Sequence, residues 1–301
     1  MWRGSFAIIA APMAQIRELK KRMVAVRTIQ RITKTMQMIA TAKFTASLVR
    51  SKATRPYTDR IRGLVGEVAA AAGSDFSHPL MSAPATVAKR ELVLVIASDR
   101  GLCGAYNGNV LRKANIAIKA LNASGKQAVI ETAGKKAIAF FRFAKLEVAE
   151  KHIFGDKPQF AQVEALAKRL MEEFSQGKYD AVHVVYTRFV SSSKQVAESM
   201  QLLPLAAPAA GAAVASSNYE FSPSGAEILA DLLPKSVVVS LFQAFNDAAV
   251  SEHVMRMVSM KAATDNAAGL GRTIRRNFNR ARQARITTEL TEIVSGAAAL
   301  E

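Results

Sequence analysis

A chain of 301 residues that is 50% hydrophobic, carries a formal charge of +17 and has one cysteine is not a disordered basic tail. Nor can it be a disulfide-stapled secreted domain or a cysteine zinc module. Aromatic residues make up 7% and the apolar mass is mainly Ala, Val, Ile, Leu and Met, a composition that favours helices over a β-sandwich, in a length that predicts about two domains.

The first segment, MWRGSFAIIAAP (residues 1–12), is shorter than a secretory signal and lacks the arginines of a transit peptide. It is read as an unassigned extension, with translation starting at Met1 or Met13. Residues 13–72 predict one long helix. Glycine occurs only at positions 63 and 66 and proline only at 56, and Ile16, Leu19, Met23, Val26, Ile29, Ile32, Met36 and Ile39 form a heptad seam with one stammer.

Residues 87–190 predict an α/β domain. Glu91–Ser98 (ELVLVIAS) reads as a buried strand that ends in Asp99-Arg100-Gly101, and a helix follows from about Gly104 to Asn122. KQAVIET is a second strand, 134–144 a second helix, 160–175 a third, and 179–189 another strand. This alternation predicts a Rossmann-like parallel or mixed sheet. Residues 191–222 read as an irregular Ala/Pro-rich linker. The uncharged run 199–219 within them is long enough to cross a bilayer, but it is broken by two prolines and consists mostly of alanine and serine, so no membrane span is expected. Residues 223–301 predict a second long helix, with a seam at Leu270, Ile274, Phe278, Ala281, Ile286, Leu290, Ile293, Ala297 and Leu300.

Helices of this length with one narrow apolar stripe need a partner. The available one is the other terminal helix, in an antiparallel coiled coil for which the α/β domain serves as the connecting loop.

Catalytic chemistry finds little support. Gly101-Leu-Cys-Gly104 has GxxG spacing without the dinucleotide fingerprint, and none of the Gly-Lys pairs at 125, 134 and 177 is followed by Ser or Thr. Asp99 and the glycines read as turn residues. Cys103 has no histidine base nearby in sequence, and His78, His152, His183 and His253 each stand alone. No catalytic, cofactor or metal residue is assigned. The charge is informative: residues 1–60 carry 13 Lys/Arg against two acids, and 271–285 carries six arginines and no acid. Two readings stand level on this ground: a basic coiled coil that binds nucleic acid, and a rod inside an acidic or polar protein sleeve.

Four blocks break the tie. MAQIRELKKRMVAVRTIQRITKTMQMIATAKF (13–44), DRGLCGAYNGNV (99–110), SEHVMRMVSMKAATDNA (251–267) and NRARQARITTELTEIVSGAAAL (279–300) closely resemble, in order, the gamma subunit of F-type ATP synthases, in a form more bacterial than mitochondrial. The resemblance implies a non-catalytic central rotor. Its terminal helices form a shaft inside three alpha and three beta subunits, and its α/β domain sits at the foot near the epsilon subunit and the membrane c-ring. It implies no cofactor, and a peripheral location on the cytoplasmic face of the bacterial plasma membrane. By motif match, Met36, Arg256, Arg282, Gln283 and Thr287 fall where that family meets the beta subunits or couples its two helices. The stretch GRTIRRNF (271–278) is more basic than the family pattern.

Overall fold

A computed structural model describes residues 5–72, 78–82, 89–205 and 225–299. The chain divides into two compact units, residues 1–39 with 257–301 and residues 40–256. Two helices run through both: α1 (Ser5–Ala72) and α5 (Gly225–Ala298). α1 therefore starts eight residues before the predicted boundary, inside the unassigned extension. α5 contains Pro234 in its third turn.

The 40–256 unit is built on a five-stranded sheet in the order β3-β2-β1-β4-β5. Its strands are β1 (Arg90–Ile96), β2 (Gln127–Ala133), β3 (Glu150–His152), β4 (Ala181–Phe189) and β5 (Gln195–Leu203). β1 to β4 are parallel and β5 closes one edge antiparallel to β4. The parallel strands are joined by α2 (Tyr106–Ala123), α3 (Lys135–Phe143) and α4 (Phe160–Ser175).

Both faces of β1 are buried, which is why its sequence is a continuous apolar run. Alternate side chains divide between two cores. Val93 and Val95 join Val110, Ala114 and Ile118 of α2 and Phe141 of α3, whereas Leu92, Leu94 and Ile96 join Leu166, Leu170 and Phe174 of α4 and Leu233, Val237, Leu241 and Phe245 of α5. The most apolar part of α5, long enough by composition to cross a bilayer, is thus a core helix of this unit.

β5 corrects the predicted linker. QVAESMQLL lies on the sheet edge with mostly half-buried side chains, so its polar residues hid the strand. The rest of the linker, 206–222, lies outside the described residues, as do residue 87 at the predicted domain start, 223–224 at the start of the predicted second helix and Leu300 of the predicted seam.

The seam of α1 is a second correction. Ile29, Ile32 and Ile39 are about half exposed, and the inward positions run Leu19, Met23, Val26, Gln30, Thr33, Gln37, Ala40, Phe44, Ser47, Ser51, Thr54, Thr58, Ile61, Val65 and Val68. These steps alternate four and three without a stammer. Small polar residues hold the middle of the seam because they find hydrogen bonds there, as buried polar groups must. Ser51 Oγ donates to Asp247 Oδ1 at 3.0 Å, Thr54 Oγ1 to Gln243 Oε1 at 2.9 Å, and Arg55 Nη2 reaches both Asp247 oxygens.

In the terminal unit Leu19, Met23 and Val26 of α1 pack with Ala267 and Ile274 of α5. Thr264 Oγ1 donates to Thr33 Oγ1 at 2.8 Å. The contacts of Thr33 with Thr264 and of Val26 with Gly271 make the pair antiparallel, as predicted.

Candidate functional site

In the terminal unit Met36 is half-buried on α1, whereas Arg282, Gln283 and Thr287 are exposed on one stretch of α5. Thr33 lies level with Thr264, so Met36 is about 20 residues, roughly 30 Å, along the pair from Arg282. The structure therefore brings Arg282, Gln283 and Thr287 together and leaves Met36 apart. Thr287 Oγ1 bonds back to the Gln283 carbonyl at 3.1 Å. The guanidinium of Arg282 and the amide of Gln283 face outward. Ile286, Leu290 and Ile293, predicted as seam, are 49%, 57% and 68% exposed, so this end of α5 presents an apolar stripe beside polar donors.

Arg256 has a different setting from the one expected of a partner contact. Its side chain is 10% exposed. Nη2 meets Glu252 Oε1 at 2.6 Å and the Arg100 carbonyl at 3.3 Å, and Nε donates to the Gly101 carbonyl at 3.3 Å. Arg256 thus ties α5 to the loop that follows β1, in the same unit.

That loop lies where open α/β sheets bind ligands, beyond the carboxyl ends of the strands. Several of its residues have a structural task. Asp99 accepts from the Lys135 amide at 3.0 Å and Ser98 O from the Lys136 amide, so the first amides of α3, an anion site in nucleotide-binding folds, are taken. Asn107 Oδ1 accepts from the Ser98 amide, and Cys103 and Tyr106 are buried. Gly134 has φ +108°, and a Cβ there would stand 2.2 Å from Ala97 O. Phe245, Ala248 and Glu252 of α5 close over the strand ends, and the cavity that remains is about 30 Å³, the room of a single water.

Charges around this closure are paired. Lys43 of α1 is ion-paired with Asp156, and Arg100 lies 3.9 Å from the same carboxylate. Burial would raise the Asp156 carboxyl, but the hydrogen bond and charge of Lys43 hold it below its ordinary value. Burial pushes the Glu252 carboxyl up, with Arg256 pulling the other way. Burial and the adjacent Arg256 push His253 down to about 4. Its neutral Nδ1 can therefore accept from Arg256 Nη1 at 3.4 Å.

Two more histidines have partners invisible in sequence. His183 Nε2 meets the buried Glu91 at 2.7 Å, with Lys126 on the other oxygen, and His152 Nε2 meets the buried Glu131 at 3.0 Å. Glu131, Glu150 and His152 are close enough to share a cation, but Arg169 already spans both Glu131 oxygens at 3.1 and 2.7 Å.

Comparison with known proteins places the chain. Residues 15–300 match the ATP synthase family. An ATP synthase gamma chain from Rhodopirellula baltica is 40% identical over 297 residues, covering 96% of this chain and all of the relative. One from Methylibium petroleiphilum is 37% identical, with the same coverage. Among solved structures, a chain of the Euglena gracilis mitochondrial ATP synthase OSCP/F1/c-ring assembly superposes with a TM-score of 0.65 at 18% identity, covering 95% of each chain. A chain of the Tetrahymena thermophila central stalk and c-ring superposes with a TM-score of 0.57 over 77% of this chain and 99% of the other. With a fold, a length and a sequence that agree from end to end, the chain belongs to the ATP synthase gamma-chain family.

Proposed function

We propose that this protein is the central rotor of an ATP synthase and couples ion-driven rotation to ATP synthesis or hydrolysis on its partners. The observation that carries this reading is the closure of the α/β ligand position by α5, while the exposed donors and apolar stripe lie on the terminal helix pair. Such a chain acts through contacts and performs no chemistry of its own. Three alpha and three beta subunits would surround the helix pair, with the epsilon subunit and c-ring at the α/β domain. The assembly would be peripheral to the cytoplasmic face of a bacterial plasma membrane.

Met36, Arg282, Gln283 and Thr287 would meet the beta subunits, each orientation favouring a different set of site conformations, so that torque becomes differential nucleotide affinity. Arg256 would contribute by holding the β1–α2 loop on α5. A basic nucleic-acid protein is the weaker reading, because the relatives are rotary subunits. The test is reconstitution with alpha and beta subunits, with a bead attached through a cysteine introduced at the exposed Lys151. Stepwise rotation during ATP hydrolysis is expected. Failure to assemble, or nucleotide hydrolysis by the isolated chain, would overturn the reading.

A further inference from the structure

α2 and α3 cover one face of the sheet, and their outward sides have no structural employment. Together they hold Arg112, Lys113, Lys119, Lys135, Lys136 and Arg142 and not one Asp or Glu. Among the described residues none of these six forms an ion pair. α4 differs: its Lys168 and Arg169 are neutralised by its own Glu164 and Glu173.

Within this basic surface lies a groove of about 510 Å³ floored by Gly108, Leu111 and Phe140, with Ile116 on its lip and Arg112 and Lys119 along its side. Gly108 leaves open space where a side chain would stand. Ile116 is 57% exposed, and at the end of α3 Phe143 is 88% exposed. Apart from Asn115 the lining is apolar or cationic, and solvation does not explain an exposed isoleucine on the lip of a concave apolar floor.

The geometry points to a docking site for an acidic amphipathic helix. Gly108 to Lys119 spans about 16 Å along α2, the length of three helical turns. A partner helix with apolar residues at i, i+4 and i+7 would fill the floor, and carboxylates on its flanks would meet Arg112 and Lys119. A flat bilayer or a nucleic-acid backbone would satisfy the charge and leave the groove empty. The inference goes beyond the rotor reading, which puts partners at the α/β domain without assigning them a face, and it fails separately from that reading because probe binding is measured on the isolated chain as well.

The test uses the full chain, alone and in its reconstituted complex. The probe is a fluorescein-labelled, stapled 12-residue helix with Leu at i, i+4, i+7 and i+11 and Glu on its flanks. Saturable binding that weakens with salt is expected. It should fall about tenfold in the Arg112→Glu/Lys119→Glu double variant and several-fold in Ile116→Ser. A probe with Lys in place of Glu should bind the double variant and not the parent. The proposal is overturned if a scrambled peptide of equal composition binds as well, or if the reversed probe fails to rescue the double variant. Tighter, residue-dependent binding to phosphatidylglycerol vesicles or duplex DNA would also overturn it.

Discussion

Replacing Arg256 with Ala isolates what this side chain does in the absence of any partner. Arg256 and Glu252 are 10% and 13% exposed, and their shortest contact is 2.6 Å. Such a pair is in effect buried, so removing the cation strands a carboxylate away from water and frees two loop carbonyls. Breaking a buried pair from one side costs about 3–5 kcal/mol.

The cost should depend on pH. Burial already places the Glu252 carboxyl above its ordinary value in the folded chain, so the fold favours its protonated form. Its carboxylate weakens the fold as pH rises through the folded value. Without Arg256 that value climbs further. The difference between parent and variant should be largest at alkaline pH and shrink as the pH falls and Glu252 takes up its proton.

Amide hydrogen exchange of the isolated chain at Ser98, Tyr106 and Lys135, whose N–H groups are bonded in and around this loop, reads this directly. An increase of roughly two to three powers of ten is expected at neutral pH. The double variant Arg256→Met/Glu252→Gln should recover much of the loss. A loss below about 1 kcal/mol that is flat with pH would show that the pair is solvent-screened and that the tie between α5 and the loop is incidental.

Other outcomes follow from the same geometry. His253, pushed down to about 4, should titrate by NMR more than two units below an exposed imidazole. Because the folded value is depressed, His253→Gln should remove part of the acid destabilisation between pH ~6.5 and ~4, at most about 3 kcal/mol. Gly134→Ala should cost at least about 3 kcal/mol in thermal or urea unfolding, since its Cβ meets a backbone oxygen at positive φ. Gly63→Ala, with open space on an exposed helix face, should gain about 0.5–1 kcal/mol. Arg282→Ala and Gln283→Ala should leave subunit stoichiometry intact and lower multisite ATP turnover, Arg282 by about tenfold and Gln283 by less, because charged bonds contribute more than neutral ones. Parent-like rates in both would assign these residues to solvent.

Much of this architecture is legible in the sequence, and the failures have physical causes. ELVLVIAS announces a strand buried on both faces, and 160–175 shows its helical period cleanly. Along α1 the seam does not follow hydrophobicity, because Thr33, Ser51 and Thr54 turn inward to hydrogen-bond partners on α5. Gln30, Thr33 and Gln37 continue the heptad, and the neighbouring isoleucines lie outside it. β5 was hidden because an edge strand with half-buried side chains tolerates Gln, Ser and Glu. The turn role of Asp99 and the following glycines was readable from their chemistry. The anchoring of that loop by Arg256 was not, because donor and acceptor lie 155 residues apart. The pairing of His183 with Glu91 and of His152 with Glu131 was hidden for the same reason. Arg282, Gln283 and Thr287 were readable as neighbours by helical spacing, and nothing in that spacing excluded Arg256 from the same surface.

The polar seam of α1 has a mechanical meaning. A purely apolar interface between two helices is lubricated, since sliding by a turn of 5.4 Å trades one set of methyl contacts for another. Where Thr33 is bonded to Thr264 in one unit, and Ser51, Thr54 and Arg55 to Gln243 and Asp247 in the other, a slip of one turn within either unit unmakes the bonds of that unit. In the second unit it also breaks the pairing of Asp247 with Arg55. Within each unit the helices are therefore splined: axial and torsional load falls on teeth of fixed register.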